Sequence, residues 1–305
     1  MFVSSPQPAA VSSTAGSSTA GRQLRLYLRR AERREFSRPA EFLHDPAARA
    51  HLGDYLADLT RPYQLSVPPE LFDSAGGLGQ SYGEMAEDLI RATVPVDEPV
   101  DLLVLAYAVP DMQPGRATAT YLSHVCPGTP LSFAITEQGS AAGFSGLRVA
   151  RDYAASAGFR RVLLLVAEQA SVPYPAAAAV PARHRGIALL LDTEPLPSGR
   201  RLAALRQRAG VPAAEVAGRA AAELAELTAE LAADTDVADI DEPPRLVLSE
   251  SLAAAWPAAD GRVAPAGQPT TGLWWQLLDE VHDDGPLVVA DYDPQLGYLC
   301  LAGWS

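Results

Sequence analysis

A glycine-rich turn between a predicted strand and a predicted helix is where side chains of this sequence could do chemistry. The stretch AITEQGSAAGFSGLRVARDY, residues 134–153, places Ser140 at that turn. A helix N-terminus offers backbone N–H groups and a positive dipole end, which stabilise an anionic nucleophile or an oxyanion. The letters QGSAAG miss the G-x-S-x-G spacing of a hydrolase nucleophile, because Gly139 directly precedes the serine. Ser140 is a candidate nucleophile, and a small residue that permits close helix packing is the alternative interpretation.

The histidines and cysteines offer this turn few partners. A serine nucleophile needs a base, and we expect the histidines in an N-terminal helical region, before the strand that leads to the turn, at a later strand and in the last helix. They are His44, His51, His124, His184 and His282. Cys126 and Cys300 are too few for a disulfide framework, lack metal-ligand spacing and are expected to be small buried apolar side chains. We therefore expect neither a metal nor a cofactor.

Composition excludes several function classes. A chain of 305 residues can bury about three quarters of its unfolded surface, ample core for an enzyme. The net charge of −13 works against binding to phosphate backbones, so nucleic acid is not an expected partner. No stretch approaches the roughly 20 apolar residues of a membrane span, and the N-terminus lacks the order of a signal peptide. We expect a cytoplasmic protein with no membrane partner and a disordered Ser/Ala/Gly-rich tail at residues 1–21.

The elements that must position the turn follow an α/β pattern. Apolar runs such as VDLLVLAYAV, RRVLLLVAEQ and GIALLLDTE alternate with helical patterns such as SYGEMAEDLIRATV, which is typical of a sheet covered on both faces. RQLRLYLRRAERREF is interpreted as a first strand, with a surface helix as the alternative. A second set contains the strand RRLAALRQ, a long helix starting near Pro212, the strand RLVLSES, the helix TTGLWWQLLDEVHDD and two final strands. The pattern predicts two similar halves, residues 22–195 and 196–305.

In this order the segments resemble the thiolase superfamily, and most closely its type III β-ketoacyl-acyl carrier protein synthases (ketosynthase III). The matching segments are LLVLAYAVPD, RRVLLLVAEQAS, HRGIALLLD, DVADIDEPPRLVLSES and GPLVVADYDPQLGYLCLAGW, and together they cover roughly residues 80–305. The resemblance implies a five-layered α-β-α-β-α fold from two pseudo-symmetric halves and a dimer formed through the first-half sheets. It also implies a condensing chemistry that depends on a cysteine, a histidine and an asparagine.

The resemblance places none of these three residues in the chain. The family's cysteine is followed by a small residue and Gly-Phe, and here Ala142 and a Gly-Phe pair follow Ala141. The histidine belongs at Ser249, at the end of RLVLSES, and the asparagine at Gln268, in AGQPTTG. Because the three positions supply no thiolate, no imidazole and no asparagine amide, the condensing site is predicted to be degenerate.

Other residues near these positions keep two interpretations. The C-terminal loop DYDPQLG carries only Gly297 where the family has several glycines, which predicts a stiffer and more negative loop beside the site. Glu137 is interpreted as part of the turn's hydrogen bonding or as a side chain that occupies the former pocket or reaches across a dimer interface. Trp274 and Trp275 begin the last helix, where core packing is expected and one ring could line a cleft.

Our leading hypothesis is a non-catalytic, chain-length-factor-like partner of an active ketosynthase in polyketide or fatty-acid-like biosynthesis. The alternative is a ketosynthase III-like acyltransferase, hydrolase or cyclase that uses Ser140 or Glu137. A third class is a homodimeric scaffold that keeps the fold for docking. The expected partners are an active ketosynthase subunit or a second copy. An acidic acyl carrier protein is a further candidate, on the arginines of RRAERR and on Arg148, Arg151, Arg160 and Arg161, for which solvated surface is the alternative.

Overall fold

The computed structural model describes residues 25–72, 79–113, 115–172, 180–196, 199–233 and 243–305. The predicted tail at residues 1–21 and most of DVADIDEP lie outside these ranges. The strands within them are β1 Leu26–Phe36, β2 Leu102–Ala106, β3 Leu131–Ile135, β4 Arg161–Glu168, β5 His184–Asp192, β6 Arg201–Arg208, β7 Arg245–Leu248, β8 Arg262–Val263, β9 Leu287–Asp293 and β10 Tyr298–Trp304. The helices are α1 Pro46–Thr60, α2 Tyr82–Thr93, α3 Thr118–Val125, α4 Ala142–Ala157, α5 Val216–Ala233, α6 Glu250–Ala255 and α7 Gly272–Glu280.

The strands follow one topology twice. Their hydrogen-bonded order is β3-β2-β4-β5-β1-β6-β10-β9-β7-β8. Counted within each set of five, both halves therefore read third, second, fourth, fifth, first from the outer edge inward. In each half the fourth strand is antiparallel to the fifth, and the second is parallel to the third and fourth. The halves join where β1 pairs with β6 through two residue pairs. The predicted α/β fold of two pseudo-symmetric halves is confirmed.

Three large apolar clusters separate the layers. The central one lies between the two halves and contains α4 and α7, with Phe144 and Trp274 among its largest side chains. Met85 belongs to a second cluster, in which α2 and α3 cover the outer face of the first half. Leu227 and Leu252 belong to a third, in which α5 and α6 cover the outer face of the second half. The layers follow as α-β-α-β-α, because each sheet buries both faces.

Two local predictions have different outcomes. The arginine-rich first segment is the strand β1, paired with β5 along nine register positions, and not a surface helix. The predicted last helix ends at Glu280, so His282 lies in the turn after it, where the sequence Asp-Asp-Gly favours a turn over helix. Among the described residues no helix is both long and apolar enough to cross a bilayer.

Candidate functional site

The turn before α4 brings the two halves of the chain into contact. β3 ends at Ile135, and a single 3₁₀ turn, Gly139–Ala141, leads directly into α4. Gly139 has a φ of 52°, in the left-handed region that favours glycine. A Cβ added there would lie 1.8 Å from Oδ2 of Asp293. Gly139 therefore allows the last loop of the second half to close against the turn.

Ala141, at the predicted cysteine position, is fully buried in the central apolar cluster. Its methyl group cannot carry an acyl group. Its backbone N–H donates to the carbonyl of Gln138 at 3.1 Å, and the N–H of Ser140 donates to Oδ2 of Asp293 at 3.0 Å. An oxyanion hole needs N–H groups that are free to point at a developing charge. Both N–H groups are already bonded within the chain.

Ser140 faces a carboxylate that the sequence analysis did not identify. Its Oγ donates to Oδ2 of Asp291 at 2.6 Å and lies 3.5 Å from Oδ2 of Asp293. Both aspartates belong to β9 and also to the segment DYDPQLG, which the sequence predicted as a negative loop beside the site, without a partner for either carboxylate. The available signal was the pair of aspartates in LVVADYD, a strand whose seven residues are all buried. Ser140 therefore contributes a buried hydrogen bond in addition to its small size.

Burial sets the protonation of Asp291. The residue is 1% exposed, and this burial raises the pKa of its carboxyl group to about 6. Hydrogen bonds from the hydroxyls of Ser140 and Ser249 act in the opposite direction, while the nearby charge of Asp293 adds to the rise. Oδ1 of Asp291 has no hydrogen-bond partner among the described residues. An unpaired buried oxygen favours the protonated acid, which can donate a hydrogen bond.

Ser249, at the predicted histidine position, meets the same carboxylate. It is the N-cap of α6, where its Oγ accepts from the N–H of Leu252 at 3.2 Å. It is close enough to Asp291 to lower the pKa of that carboxyl group, and its Oγ lies 3.2 Å from Oγ of Ser251. Two of the three positions predicted to be degenerate, at the turn before α4 and at the start of α6, therefore lie close to Asp291.

Gln268, at the predicted asparagine position, is turned toward backbone instead. It is buried, and its Nε2 donates to the carbonyl of Gly267 at 2.8 Å and to that of Arg183 at 3.4 Å. Its Oε1 has no partner in the part of the chain that the structure describes, and no hydrogen bond joins Gln268 to Ser140 or Asp291 there. The amide is therefore used to hold the loop before α7 against β5.

A buried carboxylate fixes the start of α7, next to Gln268. Glu168, the last residue of β4, accepts from the N–H of Thr270 at 2.6 Å and from the hydroxyl of Thr271. Burial raises the pKa of this carboxyl group, while these hydrogen bonds lower it. The contact ties the first-half sheet to the N-terminus of a second-half helix.

Glu137 lies outside the buried cluster. It is exposed, has a φ of 60° and forms no side-chain hydrogen bond or ion pair with a described residue. Its neighbour Gln138 accepts a hydrogen bond from Ser145, whose Oγ in turn lies 3.0 Å from Nε2 of Gln207. Ser145 is one helical turn beyond Ala141, so the two residues share a face of α4. Polar groups therefore occupy the space below the predicted cysteine position.

Both cysteines are buried thiols. Burial raises the pKa of Cys126 to about 12, and burial, with a smaller contribution from Asp291, raises that of Cys300 further. Cys126 follows the C-terminus of α3 and Cys300 lies within β10, so neither thiol is at a helix N-terminus. Neither has the environment of a reactive thiolate.

The two tryptophans of α7 pack against neighbouring elements. Trp274 is fully buried, and its ring centroid is 4.9 Å from that of Phe144. Trp275 is partly exposed, and the guanidinium groups of Arg33 and Arg185 lie 4.8 and 4.3 Å from its ring centroid. Trp274 therefore belongs to the core, and Trp275 forms cation–π contacts with two arginines.

The arginines considered for an acidic carrier protein divide into two sets. Those of RRAERR lie on β1 and form ion pairs with Glu98, Asp279 and Glu32. Arg161 is paired with Asp192. Arg148, Arg151 and Arg160 form no ion pair with a described residue.

Comparisons with known proteins identify the fold. No protein-family model matches the sequence, and no curated protein sequence matches it. A tetronic acid condensing enzyme, AbyA1, is 14% identical and superposes with a TM-score of 0.60 over 92% of this chain and 99% of that chain. The 3-oxoacyl-(acyl carrier protein) synthase III of Pseudomonas aeruginosa is 14% identical, with a TM-score of 0.54 over 91% and 97%. Germicidin synthase from Streptomyces coelicolor, a type III polyketide synthase, is 13% identical, with a TM-score of 0.54 over 92% and 100%.

These similarities show a shared fold. The chain has the thiolase fold of condensing enzymes, and the predicted resemblance to the thiolase superfamily is confirmed at that level. At such low identities the activity of the neighbours does not pass to this chain.

Proposed function

We propose that this chain is a catalytically degenerate ketosynthase III-like subunit, the non-catalytic partner of an active ketosynthase in polyketide or fatty-acid-like biosynthesis. The observation that carries the proposal is that the turn before α4 has neither a nucleophile at residue 141 nor free N–H groups at residues 140 and 141. Ala141 stands at the head of the helix, and the N–H groups of residues 140 and 141 are bonded to Asp293 and Gln138. A condensing enzyme needs a thiolate and free N–H donors at such a position.

The surroundings of the turn support a closed site. Asp291 fills the space between Ser140 and Ser249, and Gln138, Ser145 and Gln207 form a polar chain below Ala141. An acyl chain bound there would break these hydrogen bonds and leave buried polar groups unpaired, at a cost of about 1–3 kcal/mol each. In this proposal the chain has the fold of a condensing enzyme, and its own polar side chains occupy the space where an acyl chain would bind.

The edge of the first sheet supports a role as a subunit. Among the described strands β3 pairs with β2 alone, so within that part of the chain its other edge presents unpaired backbone groups. Leu131 is 48% exposed there, and the rings of Phe133 and Tyr153 are 5.9 Å apart on the same side. An exposed edge strand flanked by apolar side chains is suited to pairing with another chain.

Co-expression with an active type III ketosynthase from the same gene neighbourhood tests this function. We expect the two chains to co-purify and the length distribution of the products to change when this chain is present, while this chain alone condenses no acyl thioester. Leu131→Asp should abolish co-purification and return the product distribution to that of the ketosynthase alone. Val263→Asp, at the opposite edge of the sheet and 49% exposed, is the matched control and should have no effect. A monodisperse homodimer that leaves the ketosynthase's activity and product length unchanged would refute the proposal.

The short contact of Ser140 with Asp291 favours a second candidate, an acyltransferase, hydrolase or cyclase. In such a reaction the hydroxyl attacks a thioester carbonyl, Asp291 takes the hydroxyl proton, and the thiol leaves with that proton. The 2.6 Å hydrogen bond provides the nucleophile–base geometry that the first step requires.

Intact-mass measurement decides for or against this chemistry. After incubation with short acyl-coenzyme A thioesters, an acyl adduct that disappears in Ser140→Ala and persists in Ser145→Ala would support it. Turnover lost in Glu137→Gln would instead support acid/base catalysis by the exposed carboxylate of Glu137. Under the leading proposal we expect no adduct in any of these variants and no turnover.

A further inference from the structure

A concave notch lies between α4, the end of β6 and α5. Its volume of about 400 Å³ is within the range of small-molecule sites. Residues 205–208 of β6 all line it, although successive side chains of a strand point to opposite faces, so the notch lies at an edge of β6. β10 covers one edge of β6, and the notch therefore opens at the other. Its charged lining residues are Arg148, Arg151, Arg206, Arg208 and Glu226.

Two of the four arginines are neutralised within the chain and two are not. Arg206 and Arg208 form ion pairs with Glu223, a buried residue of α5, and Arg206 also pairs with Glu230. Arg148 and Arg151, on α4, have no ion-pair partner among the residues that the structure covers. The notch therefore contains two positive charges that the described chain leaves without a counter-charge.

The unpaired arginines lie on the side of α4 that is turned toward β6. Arg148 and Arg151 are three residues apart, a spacing at which side chains are neighbours on a helix. Ser145, three residues before Arg148, has its Oγ 3.0 Å from Nε2 of Gln207 in β6. Burial raises the pKa of Cys300 in β10, the strand beside β6, and the charge of Arg148 opposes that rise. Both contacts place the Arg148 side of α4 over the second-half sheet.

The charge left in the notch matches a doubly charged anion. A phosphate monoester carries close to two negative charges above neutral pH, and guanidinium groups bind its oxygens through paired N–H donors. A carboxylate carries one charge and would leave one of the two guanidinium groups without a counter-charge. The exposed carboxylate of Glu226 on the rim opposes any anion. The net charge of −13 also repels anions at long range, so affinity must come from direct contacts inside the notch.

We propose that this notch binds a small phosphate monoester, whose phosphate group bridges Arg148 and Arg151 of α4. Arg206 and Arg208, held in place by Glu223, form the opposite wall. Within the described chain the lining includes no residue of β3 or of the turn before α4. The site is therefore separate from the degenerate one, and the inference goes beyond the proposed function without depending on it.

Isothermal titration calorimetry of the full chain with glycerol 3-phosphate tests the site. The titration is made at low salt and about pH 8, where the ester is doubly charged, with glycerol as the uncharged control ligand. We expect saturable, equimolar binding of glycerol 3-phosphate and no binding of glycerol. Arg148→Gln and Arg151→Gln should each weaken binding at least about tenfold, because each removes charge-assisted hydrogen bonds. Binding should also weaken at about 1 M salt, where the screening length falls to about 3 Å.

Two further variants separate the notch from general charge attraction. Arg160→Gln removes an exposed guanidinium that lies beyond the end of α4, outside the notch, and should bind as wild type does. Glu226→Gln removes the rim carboxylate and should tighten binding, a gain that a folding defect cannot produce.

Three results would overturn the proposal. They are no binding of glycerol 3-phosphate by the wild type, unchanged affinity in Arg148→Gln and Arg151→Gln, and a loss in Arg160→Gln as large as theirs. The titration involves no ketosynthase, so its failure would leave the co-expression result standing, and a failed co-expression would leave the notch unaffected.

Discussion

Asp291→Asn is expected to stabilise the protein at neutral and alkaline pH and to leave its stability nearly unchanged near pH 4. The pKa of this carboxyl group is raised from 3.8 to about 6 in the folded chain, chiefly by burial. The folded state therefore binds the proton more tightly than the unfolded state. Stability from this group is fully present below about pH 4 and is lost as the pH rises through about 6, a loss of roughly 3 kcal/mol for a shift of about two units.

The asparagine variant removes this pH dependence because its amide stays neutral while it can still accept from Ser140. The measurement is the difference in free energy of unfolding between the two proteins, from denaturant titrations between pH 4 and pH 8. This difference removes the contribution of every group whose titration is the same in the wild type and in the variant. Asp152→Asn, on the exposed ridge of α4, is the control and should give a flat difference. A flat difference for Asp291→Asn as well, or a wild type that becomes less stable relative to the variant as the pH falls, would show that the folded chain does not raise the pKa of Asp291.

Trp274→Ala is expected to lower the free energy of unfolding by about 3–5 kcal/mol, the usual cost of deleting a buried aromatic ring. The side chain projects from α7, is fully buried and packs against α4, where the two halves meet. Its indole lies against the backbone of Gly143, since a Cβ added there would come within 2.5 Å of Nε1. Trp274→Phe should cost less, because the indole N–H has no hydrogen-bond partner among the described residues.

A double-mutant cycle tests the contact itself. Gly143→Ala should destabilise the wild type, because the new methyl group overlaps the indole ring. The same change in the Trp274→Ala background should cost little, because the space is then free. The two changes should therefore be strongly non-additive in denaturant unfolding. Trp275→Ala, whose ring is partly exposed and in contact with two guanidinium groups, should be milder than Trp274→Ala. Additive effects of the residue 143 and 274 changes would mean that the two helices do not rely on this contact.

The order of the elements could be predicted from the sequence because it depends on neighbours along the chain. The apolar runs of β2, β4 and β5 and the helix that starts at Ser81 were recognisable from local periodicity and turn residues. The first strand was the least certain element, because its alternating leucines are interleaved with arginines. Pairing with β5, far along the chain, determines it as a strand. The predicted end of α7 was wrong because the apolar periodicity of the helix was extended through His282 into Asp-Asp-Gly, a sequence that favours a turn.

Only part of the candidate site could be predicted from the sequence in this way. The turn, Ser140 and Ala141 stand next to one another and could be identified directly. Asp291 and Asp293 are 151 and 153 residues away from Ser140. The family resemblance placed their segment beside the site, but nothing in the sequence indicates that their carboxylates meet the hydroxyl and N–H of Ser140. Glu137 shows the opposite case: its position beside the turn suggested turn hydrogen bonding, or a place in the former pocket, while in the structure it has a positive φ and is exposed.

The sequence by itself determined which side chains stand at residues 141, 249 and 268, the positions that the resemblance matches to the family's cysteine, histidine and asparagine: an alanine, a serine and a glutamine. Only the tertiary structure decided what these side chains contact. It brings a strand of the second half against a turn of the first, so that Asp291 loses its water and becomes a weak acid between Ser140 and Ser249. The residue types are local properties of the chain, while burial and pKa arise from contacts between segments that are distant in sequence.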